Sequence, residues 1–213
     1  MTKKSKEPKA RILKAARKLF SQHGVDGTSL RAITAAANVN LAAINYHFGS
    51  KENLVTEVLM GFIYPLDAER GRIMDAAQKA SPDGIARVQD VVTAYIQPWL
   101  NFVDKHPGML ETYLRLYTSS EDTGGANSLG KMIYAISQTP YQGFTTAIAQ
   151  ALPEVPNDIL TLRMNIAITA ASSVLLTPWF NHNLEAMSGF ALNKDNLLEF
   201  VSRFIETGKF EQP

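Results

Sequence analysis

Between Thr28 and Leu54 the chain reads TSLRAITAAANVNLAAINYHFGSKENL, two short helical stretches separated by only four residues. That spacing is the strongest constraint on the fold. Two helices joined so tightly must turn sharply, and one turn residue must take a left-handed conformation that most L-residues resist. The turn is Ala37-Asn38-Val39-Asn40. Asn38 stands at the left-handed position, where asparagine is the best substitute for glycine, and Asn40 is placed to cap the second helix. Val39 and Ile44 should point inward to meet Leu30, Ile33 and Phe48. Ala35, Ala36 and Ala37 are small enough for the two helices to approach closely.

With Val39, Ile44 and Phe48 buried, helical spacing leaves Leu41, Ala42, Asn45 and Tyr46 facing outward on the second helix. Those side chains suit the major groove of DNA. Asn45 can pair with adenine N6 and N7, and Ala42 can touch a thymine methyl. Tyr46 and His47 can donate to phosphates. Lys51, at the start of the next helix, can neutralise a phosphate beside the unpaired backbone N–H groups there. The same pattern would also describe a plain helical hairpin with a solvated polar face. Charge is consistent with both. Residues 1–60 hold ten Lys/Arg and four Asp/Glu, a net of +6, whereas residues 61–213 hold eleven and sixteen, a net of −5. A basic head on an acidic body fits a polyanion that meets the head alone, although Lys3, Lys4, Lys6 and Lys9 could equally be a solvated tail.

The rest of the chain also reads helical, which makes the expected fold all-α: an N-terminal helix-turn-helix domain over residues 1–58 and a larger helical domain over 59–213 for effector binding and dimerisation. A first helix is expected at about Pro8–His23, stopped by Gly24, with Ile12, Ala15, Ala16, Leu19 and Phe20 on its apolar face. The two short helices cover about Ser29–Ala37 and Leu41–Phe48. A fourth should start after Ser50 as N-cap and run to about Gly71 or beyond, with Pro65 kinking or ending it. Ser81-Pro82-Asp83-Gly84 is a break. Further helices are expected at Ile85–Lys105, Pro107–Ser119, Ser128–Leu152, Asn157–His182 and Asp195–Thr207, with a Gly-rich loop at 121–127.

Phe20-x-x-x-Gly24, Thr28-Ser29-Leu30-Arg31-x-Ile33, Asn38-Val39 and Tyr46-His47-Phe48-x-Ser50-Lys51-x-x-Leu54 together resemble the DNA-binding domain of TetR-family repressors over residues 10–58. The resemblance implies an all-helical homodimer with one such head per subunit. With the residues above, it gives Thr28, Ser29, Arg31, Asn40, Leu41, Ala42, Asn45, Tyr46, His47 and Lys51 as the DNA-binding set. Two positions depart from the family: Asn38 replaces the usual glycine, and Asn45 stands where tyrosine is frequent, which leaves base contact and phosphate contact both open there. The stretch VNLAAINYHFGSKE, with the later YLRL and ALPEVP segments, resembles the PsrA-type branch, some members of which respond to fatty-acyl compounds; this implies an apolar effector.

The resemblance also implies that the helices at about 128–152 and 157–182 pair with their symmetry mates. Ala167, Ala170, Ala171, Ser172 and Ser173 would permit that close packing. Met164–Leu184 carries no Asp, Glu, Lys or Arg, yet its tail is too polar to span a bilayer. Three prolines inside helical stretches each precede an aromatic: Pro98-Trp99, Pro140-Tyr141 and Pro178-Trp179. Each removes a hydrogen bond at a cost of about 3 kcal/mol and leaves a carbonyl unpaired, at Ala94, Ile136 and Val174. Gaps between kinked helices suit an apolar ligand, with Tyr95, Trp99, Phe102, Tyr117, Tyr141, Phe144, Met164 and Trp179 as candidate walls or as ordinary core.

The chain has no cysteine, which removes thiolate metal sites and thiol nucleophiles. His23, His47, His106 and His182 are far apart and show no metal-binding spacing. No phosphate loop or nucleophile elbow occurs. The reading is therefore non-enzymatic, without cofactor or metal. The N-terminus lacks an apolar run of signal-peptide type, and a cytoplasmic location is expected. The expected function is a dimeric repressor that binds a palindromic double-stranded DNA operator and is released by a small apolar effector. A helical small-molecule enzyme and a non-specific architectural DNA-binding protein are the alternatives.

Overall fold

The structure is a computed structural model that describes residues 3–106, 128–176 and 194–209. Eight helices and no strand occur among the described residues: α1 (Lys3–His23), α2 (Leu30–Ala37), α3 (Leu41–Phe48), α4 (Lys51–Ala80), α5 (Val88–Lys105), α6 (Ser128–Ala151), α7 (Asn157–Leu176) and α8 (Lys194–Thr207). The all-α expectation holds. The expectations on Pro107–Ser119, the loop at 121–127 and the stretch from Thr177 to Asn193 lie outside the described residues.

The chain forms two compact units, one of residues 1–66 with 102–136 and one of residues 67–101 with 137–213. All three boundaries cut helices: α4 after Leu66, α5 after Asn101 and α6 after Ile136.

In the first unit, α1 packs on α2 and α3. Its apolar stripe of Ile12, Ala15, Ala16 and Phe20 is buried, while Arg11, Lys14, Arg17 and Lys18 stay exposed. Ile33, Ala37, Ile44, Phe48, Leu54, Val55, Val58 and Leu59 complete this core. α1 begins at Lys3, earlier than expected, with Pro8 inside it. Pro65 does not end α4, which continues to Ala80. Ala35 and Ala36 are exposed, and only Ala37 of the three alanines is buried against its neighbours.

In the second unit, Val91, Val92, Ile96 and Leu100 of α5 share a core with Phe144 and Ile148 of α6, Leu160 and Met164 of α7, and Leu197, Val201, Phe204 and Ile205 of α8. The break at 81–84 is closed by Asp83, whose Oδ1 accepts from Ser81 Oγ at 2.7 Å and Ile85 N at 3.0 Å. α7 and α8 are tied at the end of α8, where Arg163 Nη1 donates to the carbonyls of Ile205 and Glu206 at 2.9 and 2.8 Å. A cation on the last carbonyls of a helix satisfies groups that have no partner within it. Gly208, at φ 71°, follows directly, and a Cβ there would meet the Arg163 guanidinium.

Candidate nucleic-acid interface

The turn between α2 and α3 is built from local hydrogen bonds. Asn38 lies at φ 50° and ψ 55°, the left-handed conformation the sequence requires. Its N–H donates to the Ala35 carbonyl at 3.2 Å, and that of Val39 donates to the Thr34 carbonyl at 3.1 Å. This pair of bonds is the Schellman closure of a helix C-terminus. Two residues on, Asn40 Oδ1 accepts from Ala43 N at 3.0 Å and starts α3. Ser29 does the same for α2, its Oγ accepting from Ala32 N at 3.1 Å. Stop and start signals thus sit within three residues, which fixes how α3 departs from α2.

α3 buries Ile44 and Phe48 and exposes Leu41, Ala42, Asn45 and Tyr46, the division that helical spacing predicts. Tyr46 is the most exposed large hydrophobic side chain described, at 80 %. An aromatic ring left this open gains nothing from burial in the protomer. Its ring stands edge-on to that of His47, with centroids 5.0 Å apart. His47 is half-buried, while Ser29, Arg31 and Asn40 are exposed. α3 ends at Gly49, at φ 78°, and Asn53 Nδ2 donates to the Phe48 carbonyl at 2.8 Å.

Two members of the expected DNA-binding set hold the loop between α1 and α2. Thr28 is buried, and its Oγ1 donates to the Gly24 carbonyl at 2.7 Å, fastening the loop between α1 and α2. Lys51 is half-buried, with Nζ donating to the carbonyls of Val25 and Thr28 at 2.9 and 2.8 Å. Two of its three ammonium donors therefore hold the same loop. The N-terminus of α4 is not an open anion site either. Ser50 Oγ accepts from Asn53 N at 3.1 Å. The backbone N–H of Glu52 and the Ser50 hydroxyl hold the Glu52 carboxyl below the usual carboxylate range. Residue spacing could show that Lys51 follows α3, but not that the loop carbonyls lie within its reach.

One further residue supports the interface without having been expected. Lys9 of α1 pairs with Glu57 of α4 at 2.8 Å and lies 5.4 Å from the centroid of the Phe48 ring. It braces the buried end of α3 from behind.

The described candidate effector walls fall in both compact units. Phe102 belongs to the first unit, where its ring lies 5.2 Å from that of Phe62 and 5.0 Å from that of His106. Tyr95, Trp99, Tyr141, Phe144 and Met164 fall in the second unit. Phe144 and Met164 are buried core; Tyr95, Trp99 and Tyr141 are half-buried. Tyr95 stacks on Phe144 with centroids 4.4 Å apart, and Tyr141 Oη donates to Asn165 Oδ1 at 3.0 Å. Tyr117 and Trp179 lie outside the described residues. A groove of about 420 Å³ opens between α6 and α7, where Thr145, Thr146, Gln150, Asn157 and Thr161 alternate with Ala149, Leu160 and Met164, and Met164 is the one expected wall within it. No group of acidic, histidine or cysteine side chains suited to a metal ion occurs among the described residues. No helix there is long and apolar enough to cross a membrane.

Comparison with known proteins agrees with this geometry. Residues 12–58 match the family model of bacterial regulatory proteins, tetR family. The probable transcriptional regulator YttP of Bacillus subtilis is 39 % identical over 69 residues, which cover 30 % of this chain and 33 % of that protein. The transcriptional repressor AcnR of Corynebacterium glutamicum is 44 % identical over 43 residues, covering 20 % of this chain and 23 % of that one. The chain thus spans a third or less of the length of the curated relatives it matches. Solved structures extend the likeness of fold to nearly the whole chain. The hemolysin II transcriptional regulator HlyIIR superposes with a TM-score of 0.57 at 21 % identity, covering 98 % of this chain and 99 % of that one. The TetR-family regulator PfmR of Thermus thermophilus gives 0.53 at 17 %, covering 92 % and 95 %.

Proposed function

We propose that this chain, a TetR-family transcriptional regulator in its DNA-binding head and its helical fold, is a homodimeric, ligand-responsive repressor. Each head would place α3 in the major groove, and two heads about 34–36 Å apart would read a palindromic operator. The observation that carries this reading is the face of α3. Leu41, Ala42, Asn45 and Tyr46 are exposed on one side of a helix whose entry is fixed by Asn38 and Asn40. Within it the work divides. Asn45 and Ala42 are the candidates for base contact, and Ser29, Arg31, Asn40, Tyr46 and His47 for the backbone. Lys51 acts chiefly by holding the loop before α2, with one donor left for a phosphate.

The dimer reading is supported by α7. Leu160, Met164, Ala167 and Ala171 face the core of their own unit, while Ile159, Leu162 and Ile166 are exposed in a stripe at helical spacing. Three apolar side chains in one row fit a symmetric contact with a second copy. Release would follow from an effector with higher affinity for a DNA-incompetent form, and its leverage equals that difference in affinity.

The test is binding to the promoter next to the protein's own gene, at two salt concentrations and against scrambled DNA. Selective retention at the higher salt is expected. Asn45→Ala should lose preference at one base position, worth about 1–3 kcal/mol. Survival of every base preference in that variant would overturn the readout role.

A further inference from the structure

Arg70 of α4 is an unexpected charge among the candidate effector walls. Its side chain is only 13 % exposed. Nε donates to the Tyr95 carbonyl at 3.1 Å, and Nη1 donates to Asp67 Oδ1 at 2.9 Å. The guanidinium carbon lies 4.3 Å from the Tyr95 ring centroid and 5.7 Å from that of Trp99. Tyr95 in turn stacks nearly parallel on Phe144, at 16° between planes. A cation is thus set against a column of aromatic rings, all within the second unit.

A guanidinium has five N–H donors in a planar fork. Two are used, and the other three meet no acceptor among the described residues. The one carboxylate it holds is its neighbour on the same helix, contacted through a single hydrogen bond rather than the bidentate fork that makes such pairs strong. Burial pushes the Asp67 carboxyl upward, and the charge and hydrogen bond of Arg70 only partly offset that.

We infer that Arg70 anchors the head group of the effector, and that the effector is an amphiphilic carboxylate. Its carboxylate takes the fork of Arg70 in place of Asp67, and its apolar body lies along Tyr95 and Trp99. Aromatic faces alone would accept any apolar molecule; the buried fork selects those that carry a planar anion. This inference rests on the ligand-responsive reading above and specifies its chemistry.

The experiment is calorimetric titration of the full chain with decanoate and phenylpropanoate, each against its alcohol, decanol and phenylpropanol, below the micelle threshold. Each acid should bind at least tenfold more tightly than its alcohol. Arg70→Met should erase that difference. Asp67→Asn, which removes the competitor, should raise affinity for the acids several-fold. If Arg70→Met does not fold, Arg70→Lys should narrow the difference, because it keeps the charge but not the fork. Equal binding of acid and alcohol, a preference that survives loss of Arg70, or no binding at all would overturn the anchor. So would an Asp67→Asn variant that loses the acids, since the ion pair would then be purely structural. A parallel operator-release assay separates the two readings. An acid that binds through Arg70 without releasing operator leaves the anchor standing and sinks ligand response. Release by alcohols as well as acids does the reverse.

Discussion

Asn38 holds a left-handed backbone that glycine would hold without strain, and it is the one non-glycine at positive φ among the described residues. An alanine in that conformation costs about 1 kcal/mol or more. Asn38→Ala should lower the unfolding free energy by about that amount in urea melts. Asn38→Gly should stay within about 0.5 kcal/mol of the parent, since relief of strain is offset by a freer unfolded chain. Lys51 gives a second prediction. Its two bonds to the Val25 and Thr28 carbonyls make Lys51→Ala destabilising by about 2 kcal/mol. The same change should weaken binding to every DNA sequence alike, because it loosens the loop rather than removing a base contact. Melting curves and salt titrations on specific and scrambled duplexes check both effects. A variant with unchanged melting and a salt slope lower by about one unit would instead restore Lys51 to a plain phosphate contact.

At the scale of elements, what could be read from the sequence is what local chemistry decides. Ser29, Asn40 and Ser50 cap the helices they precede because a cap is a bond between residues three apart. The buried set Ile33, Ile44 and Phe48 follows from helical period alone. What spacing does not show is contact between distant segments. Lys51 reaches back 23 and 26 residues, and Phe102 meets Phe62. The contact between α1 and the end of α5 is another of this kind. Ser21 Oγ lies 2.9 Å from His106 Nδ1, and the imidazole packs 4.6 Å from the Phe62 ring. Burial, with the charge of Lys105 added, holds the His106 imidazolium below its ordinary value. The neutral ring is thus the form the fold prefers. Its contribution is complete above the ordinary histidine range, near pH 6.5, and is lost as pH falls through the lowered value. Melting temperature should fall between about pH 7 and about pH 5, and His106→Gln should flatten that fall. An unchanged slope in the variant would assign the effect to another group.

Across the whole molecule, the dimer reading depends on a helix with two apolar faces. One face of α7 is committed to the core of its own unit, and the other, at Ile159, Leu162 and Ile166, meets solvent in the protomer. Leu162 is 57 % exposed, so Leu162→Glu should leave the protomer's melting within about 0.5 kcal/mol. In a symmetric interface the same substitution sets two carboxylates against each other across the two-fold axis and desolvates both. Sedimentation at micromolar concentration should then show a monomer where the parent is a dimer. Operator binding should respond through linkage rather than contact. Two heads joined in one dimer meet the second half-site at an effective concentration in the millimolar range, and that advantage, of order 100-fold, disappears with the dimer. Affinity for an isolated half-site should not change, because α3 is untouched. A variant that stays dimeric and keeps full operator affinity would place the interface elsewhere on the chain. A variant that loses half-site affinity as well would show that the stripe supports the head itself.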